Sequence, residues 1–231
     1  MRTALSLLLV FLARVALAAE PPTVAILYFD YDGKDDELLT LRKGITQMLI
    51  TDLAGRDAYR VVERAKLQEA LAELNLAKTQ KLDPAAALQV GKLLQAKFIV
   101  VGGYFVMGGT MRLDARVFEV ETSATLKGVG TSGKTDDFFP LEQKLAADVD
   151  AVLVAAAAKA ALAPPPKPTP RPALAKSAKG KLPLKTVADY AKALESMDNK
   201  DPKKAKQQLE EVVKANPDFM LARLGLAELA L

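Results

Sequence analysis

The sequence predicts an α/β fold: one mixed sheet with helices packed on it, then a linker and a small all-α segment. Three observations carry this. Strand-length apolar runs alternate with helical stripes of period near 3.6 in the order β-α-β-α-α-β-β-β-α. A proline-rich stretch without acidic residues, 161–185, then breaks the pattern. Helical spacing resumes beyond it and continues to residue 231.

The apolar run 23–30 (TVAILYFD) reads as a buried strand, and 31–36 as a polar loop. From Glu37 to Leu53, apolar residues fall at Leu38, Leu41, Ile45, Met48, Leu49 and Leu53, one face of a helix. Residues 59–62 form a short strand. Residues 65–74 form a helix with Leu67, Ala70, Leu71 and Leu74 on one side. Asp83-Pro84 starts another helix, because Asp accepts N-cap hydrogen bonds and proline suits the first helical position. That helix is expected to run to about Gln95. Residues 98–107 (FIVVGGYFVM) form a strand, and Gly108-Gly109 suits a two-residue turn needing positive φ at both positions. Residues 110–120 alternate apolar Met111, Leu113, Ala115 and Val117 with polar Arg112, Asp114 and Arg116, as a half-buried antiparallel strand does. Residues 124–130 return as a weaker third strand. Residues 138–160 form a long helix with Phe138, Leu141, Leu145, Val149 and Val152 at helical spacing.

The first 18 residues read as an export signal. Arg2 gives the positive start, residues 4–12 an apolar centre, and Ala16-Leu17-Ala18 a small-x-small pattern that predicts cleavage between Ala18 and Ala19. The apolar stretch is short of the roughly 20 residues a membrane span needs, and Arg14 interrupts it. No cysteine stands at the cleavage point, so no lipid anchor is expected. A periplasmic protein follows, with peripheral association to the outer membrane left open.

Charge is unevenly spread. The net +4 divides into +2 in residues 1–18, −3 in 19–160, +6 in 161–185 and −1 in 186–231. The basic excess lies in the signal and the linker, whereas nucleic-acid binding calls for a basic face on a folded domain. No nucleic-acid partner is expected. Cysteine, histidine and tryptophan are absent. That removes thiol nucleophiles, Ser-His-Asp triads, and zinc sites built on Cys or His.

Seven of the 13 prolines lie between Pro164 and Pro183, so residues 161–185 read as an extended, flexible spacer. In residues 186–231, Ala193, Ala205, Leu209 and Pro217 fall where a tetratricopeptide repeat takes small, small, large and helix-ending residues. Asn199–Pro202 would be the turn between its helices, and 219–231 the first helix of a second repeat. Lys192 stands where an apolar residue is usual. A plain helical hairpin is the alternative.

Three short motifs suggest chemistry. Gly128-Val-Gly-Thr-Ser-Gly133-Lys134-Thr135 matches GxxxxGK[ST], in which backbone N–H groups cradle phosphates, the Lys reaches the outer phosphates and the Thr holds magnesium. A phosphate loop follows a buried parallel strand, whereas ETSATLK at 121–127 is polar and follows a hairpin, so the match is discounted. Asp30 and Asp32 after a hydrophobic strand resemble the acids of haloacid-dehalogenase phosphatases, but Lys34 stands where Thr or Val is expected. Asp30, Asp32, Asp35, Asp36 and Glu37 suggest calcium, but an EF-hand counted from Asp30 puts Lys34, Asp35 and Leu41 where oxygen, Gly and Glu belong. No catalytic residue, metal or cofactor is expected.

Residues 23–150 as a whole resemble the CsgG/TolB-amino-terminal-like family of exported bacterial proteins. The matching pieces are VAILYFD, LRKGITQMLITDLA at 41–54, YRVVERAKLQEALAEL at 59–74, DPAAALQVGKLLQAKFIVVGGYF at 83–105 and MRLDARVFEVET at 111–122. The resemblance implies an anticodon-binding-domain-like sandwich without enzymatic activity, working in envelope assembly, as the curli secretion pore and flagellar or cell-wall-synthase accessory proteins do. It also implies that Gly128–Thr135 is the family's last strand and turn. The sequence departs from the pore subunit in lacking the lipidated cysteine and long amphipathic insertions. The expected function is therefore a non-catalytic periplasmic adaptor or assembly factor that binds protein partners. The alternatives are an oligomeric secretion component and, third, a nucleotide- or phosphate-handling protein.

Overall fold

A computed structural model describes residues 20–161 and 182–230. The expected signal cleavage at Ala18 and Ala19, and most of the expected linker, lie outside the described residues. The strands are β1 (Thr23–Ile26), β2 (Asp30–Tyr31), β3 (Arg60–Val61), β4 (Phe98–Met107), β5 (Thr110–Glu119) and β6 (Thr125–Lys134). The helices are α1 (Asp36–Leu53), α2 (Arg64–Glu73), α3 (Pro84–Leu93), α4 (Phe138–Ala161), α5 (Leu184–Asp198), α6 (Pro202–Ala215) and α7 (Met220–Glu228). A 3-10 turn, Thr135–Asp137, leads into α4.

The sheet is mixed, in the order β3-β1-β4-β5-β6. β1 runs parallel to β3 and β4, and β2 runs parallel to β4. β4, β5 and β6 form an antiparallel meander. The turn between β4 and β5 is the expected one: Gly108 and Gly109 have φ +59° and +75°, values that carry no steric penalty for glycine.

Helices pack on both faces. On one face, Val24, Ile26, Phe98, Val100, Leu113, Ala115 and Val117 join Leu41, Ile45 and Leu49 of α1 and Phe138, Leu145 and Val149 of α4. On the other, Ala25, Leu27, Ile99 and Val120 join Leu67 and Leu71 of α2 and Ala87 and Val90 of α3. The α4 stripe runs through fully buried Leu153 to Ala157, with Val152 only half-buried.

The expected strand 23–30 is divided, and side chains of α1 explain why. The buried Thr46 hydroxyl accepts from the Phe29 N–H at 3.3 Å and donates to the Leu27 carbonyl at 3.1 Å. Arg42 Nε donates to the Phe29 carbonyl at 2.9 Å. These groups replace ladder partners, so the chain leaves the sheet after Ile26 and rejoins it at Asp30. Phe29 then turns its ring into the space over Gly102. A Cβ at Gly102 would overlap that ring and stand 2.7 Å from the Asp114 carbonyl oxygen, which is backbone. Gly102→Ala is expected to destabilise the fold by about 1–3 kcal/mol, read as a lower urea midpoint. An unchanged midpoint would show that β4 can shift to make room.

The third meander strand is longer than expected. It continues through Gly128 and Gly133 to Lys134, in register with β5 down to Thr110. Its polar, glycine-rich composition is a weak strand signal, but pairing with a well-packed neighbour decides strand content more than propensity does.

The C-terminal helices rest on the α/β body. α5 crosses α1 at Gly44, where a Cβ would stand 3.0 Å from Val187 Cγ1 and 3.2 Å from the Val187 carbonyl oxygen. Val187, Tyr190 and Leu194 of α5, and Leu209 and Val212 of α6, share one apolar cluster with α1 and α4. Tyr190 and Phe219 meet edge-to-face, with centroids 5.2 Å apart. The two parts, which the sequence pattern separates by a linker, therefore have a common core.

Candidate interaction surfaces

α2 and α3 cover only part of their face of the sheet, leaving it open beyond α3. There a cleft of about 500 Å³ lies between α3 and strands β4 and β5. Val101, Gly103 and Phe105 of β4 form its floor, and Pro84, Ala87 and Leu88 of α3 form one wall. Phe105 and, beyond the cleft, Met107 are exposed on β4. The mouth carries Asp30, Asp32 and Lys81 on one side and Asp114 and Arg116 on the other.

The local sequence sets these groups. Asp30 belongs to β2 and pairs with Gly103. Arg42 approaches its Oδ1 at 3.7 Å. Burial raises the Asp30 carboxyl above the usual carboxylate range, against the opposing effects of Arg42 and Lys81. Asp114 is clasped by Arg112, Nε to Oδ2 at 2.7 Å and Nη2 to Oδ1 at 2.8 Å. A floor of apolar groups with a few charges at the rim is the usual construction of a binding cleft.

A second, polar cleft of about 300 Å³ lies between α5 and α6. Lys185, Asp189 and Lys192 face Gln208, Glu211 and Asn216 there. Asp189 bonds Lys185 at 2.8 Å and Lys192 at 3.2 Å. Lys192, out of place in a repeat pattern, thus occupies a charged surface.

Between the two parts lies a buried charge cluster that sequence reasoning missed. Asp198 accepts from Arg64 Nη1 at 2.5 Å and from Lys43 Nζ at 2.7 Å. Lys43 also pairs with Glu195 and stands 5.7 Å from the centre of the Tyr28 ring. Burial, then the charge of Asp198, pushes the Tyr28 hydroxyl up to about 12. One signal was available: Asp198 ends α5, where the helix dipole disfavours an acid. An acid at that position is better tolerated with a cation opposite.

The residues of the phosphate-loop match lie elsewhere. Gly128, Gly133 and Lys134 are in β6, and Thr135 opens the 3-10 turn, bonding the Gly109 carbonyl through its N–H at 2.9 Å. A phosphate cradle needs successive N–H groups to converge; in an extended strand they alternate in direction. Asp30 lies in register with Gly103, Asp114 and Gly130 in turn. The phosphatase-like acids and the glycine motif are thus about 14 Å apart, three strand spacings. Among the described residues, no group of His, Cys, Asp and Glu is arranged to hold a metal ion, and no helix is long and apolar enough to cross a membrane.

Several solved structures are similar to this chain. The C-terminal domain of LpoB from Salmonella enterica is 13% identical with a TM-score of 0.41, covering 50% of this chain and 84% of its own. Lipoprotein GNA1162 from Neisseria meningitidis is 14% identical at 0.43, covering 57% and 96%. The PelC dodecamer from Paraburkholderia phytofirmans is 12% identical at 0.39, covering 58% and 89%. No curated protein matches the chain. Residues 18–108 match the family model described as "Curli production assembly/transport component CsgG", and over that segment the chain resembles the CsgG family, as its sequence pieces imply.

Proposed function

We propose that this protein is a non-catalytic adaptor or assembly factor of the bacterial cell envelope, acting in the periplasm by holding protein partners. The observation that carries the reading is the docking of the C-terminal helices. α5 and α6 share a core with a CsgG-like body and are locked to it through Asp198, so two clefts are displayed on one connected frame. In this reading the hairpin α5–α6 with α7 is a tetratricopeptide-like unit. Its role is to present the polar α5–α6 cleft at a fixed distance from the sheet cleft. Two contacts held by one frame raise the effective concentration of the second once the first has formed. The family match over residues 18–108 supports the envelope setting.

The test is site-specific photo-crosslinking of the full chain in its native cell envelope, from Lys192 in one cleft and Phe118 in the other. The expected result is adducts to the same envelope protein from both positions, lost when an excess of unlabelled protein competes. Self-adducts alone, together with a ring-sized native mass, would replace this reading with an oligomeric secretion component. Absence of any adduct from both positions would remove the adaptor reading.

A further inference from the structure

We propose that the outer edge of β6 takes an extended acidic segment of a partner protein as an added strand of the sheet. This deepens the adaptor reading by naming a surface and the chemistry that fits it.

β6 is the last strand in the sheet order, and among the described residues no strand pairs with its outer side. It is ten residues long and contains no proline. The only register shift against β5 falls between Val117 and Phe118, at one end. Such an edge is a template for strand addition.

The hydrogen-bond phase shows which groups are offered. Lys134 lies opposite Thr110, and the Thr135 N–H donates to the Gly109 carbonyl. That bond makes Thr110 and Lys134 a pair without direct exchange, so Met111 and Gly133 exchange bonds, as do Leu113 with Thr131 and Ala115 with Val129. Gly128, Gly130, Ser132 and Lys134 therefore turn their N–H and C=O groups outward. Two of these four are glycine and one is serine, so little side-chain bulk stands beside the open edge.

The charge around the edge selects the partner. β6 contains Lys127 and Lys134 and no acidic residue. On the face carrying Gly128 and Gly130, the exposed Arg116 lays its Cγ 3.5 Å from where a Gly128 Cβ would be, while the Asp114 carboxylate stands over Gly130 and is neutralised by Arg112, so Arg116 and Lys134 remain as the net charge. A second copy of this chain would bring a basic edge against a basic edge. An acidic strand meets Arg116 and Lys134 with opposite charge, and opposite charges paired across neighbouring strands stabilise the pairing. On the other face, half-buried Val129 and Thr131 line the path of the added strand. The matching segment thus alternates acidic with β-branched residues, as side chains on a strand alternate between faces.

The experiment uses the full chain and a capped synthetic peptide, Glu-Val-Glu-Thr-Glu-Val-Glu-Thr-Glu, with amide exchange followed by NMR. The peptide is expected to slow exchange at Gly128, Gly130, Ser132 and Lys134 by about tenfold or more, leaving Val129, Thr131 and Gly133 unchanged. Ser132→Pro removes one outward donor at an edge position that tolerates proline, and is expected to weaken binding by about 3–10-fold at unchanged Tm. If Ser132→Pro unfolds the strand, Arg116→Glu with Lys134→Glu serves instead: both residues are exposed, and the pair is expected to reverse preference to a peptide with Lys in place of Glu. No protection of the four amides at millimolar peptide overturns the proposal. So does protection that appears without peptide and grows with protein concentration, which would make the occupant a second copy. The peptide assay needs no native partner, so its failure leaves the crosslinking test of the adaptor reading standing.

Discussion

Asp198→Ala is expected to lower the unfolding free energy by about 3–5 kcal/mol, because it removes one member of a buried ion cluster and strands the others. The Asp198 side chain is 7% exposed, Arg64 9% and Lys43 14%. Burial by itself favours the neutral form of Arg64, yet its pKa is raised, because Tyr28 and Asp198 hold the charged form. With Asp198 gone, Lys43 keeps Glu195, whose side chain is 54% exposed and a weaker anchor. Among the described residues, Arg64 keeps the Tyr28 hydroxyl at 3.5 Å. The loss falls on the joint between α5 and the α/β body. Amide exchange that quickens most across α5, α6 and α7, and less in β4 and β5, is the expected pattern in the variant. An unfolding free energy from urea within about 0.5 kcal/mol of the parent's would mean that Val187, Tyr190 and Leu194 hold the joint without the charges.

How much of this was legible follows from the range of each interaction. The α1 stripe, the Asp83-Pro84 start and the Gly108-Gly109 turn are written in neighbouring residues, and the structure reproduces them. Asp83 Oδ1 accepts from the Ala86 N–H at 2.7 Å, a cap within one turn of helix. The division of β1 from β2 depends on Thr46 and Arg42, more than ten residues away from Phe29 in sequence. Their hydroxyl and guanidinium look like ordinary helix residues until the helix is laid on the strand. The same holds for the joint: Lys43 and Asp198 are 155 positions apart, and only the odd placement of an acid at the end of α5 hinted at it. The clefts were illegible because each is a place that helices do not cover, and periodicity reports what is covered. Of the candidate acids, Asp30 and Asp32 do border the sheet cleft, but as part of a charged rim that includes Lys81 and Arg116.

Glu142→Gln is expected to stabilise the protein, on the order of 1–2 kcal/mol above neutral pH, although it alters a fully buried residue. Glu142 lies on α4 with 0% exposure. Its neighbours are Gln143, whose Nε2 donates to Glu142 Oε2 at 3.0 Å and also bonds Asp52, and Asp52 itself on α1. Burial, then the charge of Asp52, raises the Glu142 carboxyl well above its ordinary range. The protonated form is the one that fits, since it can donate to Asp52. A raised folded-state pKa means that the neutral acid favours folding below the unfolded value of about 4.3, and that this contribution is lost as pH rises through the folded value. The parent should therefore become less stable across that window. Glu142→Gln supplies a permanent amide donor in place of the titrating proton, so its advantage should be smallest near pH 4 and grow to a plateau. Asp52→Asn should flatten the same pH profile by removing the charge that helps raise Glu142. Parallel profiles for parent and Glu142→Gln from pH 4 to 9, measured by urea unfolding at constant salt, would show that Glu142 is ionised throughout and that the pair shares no proton.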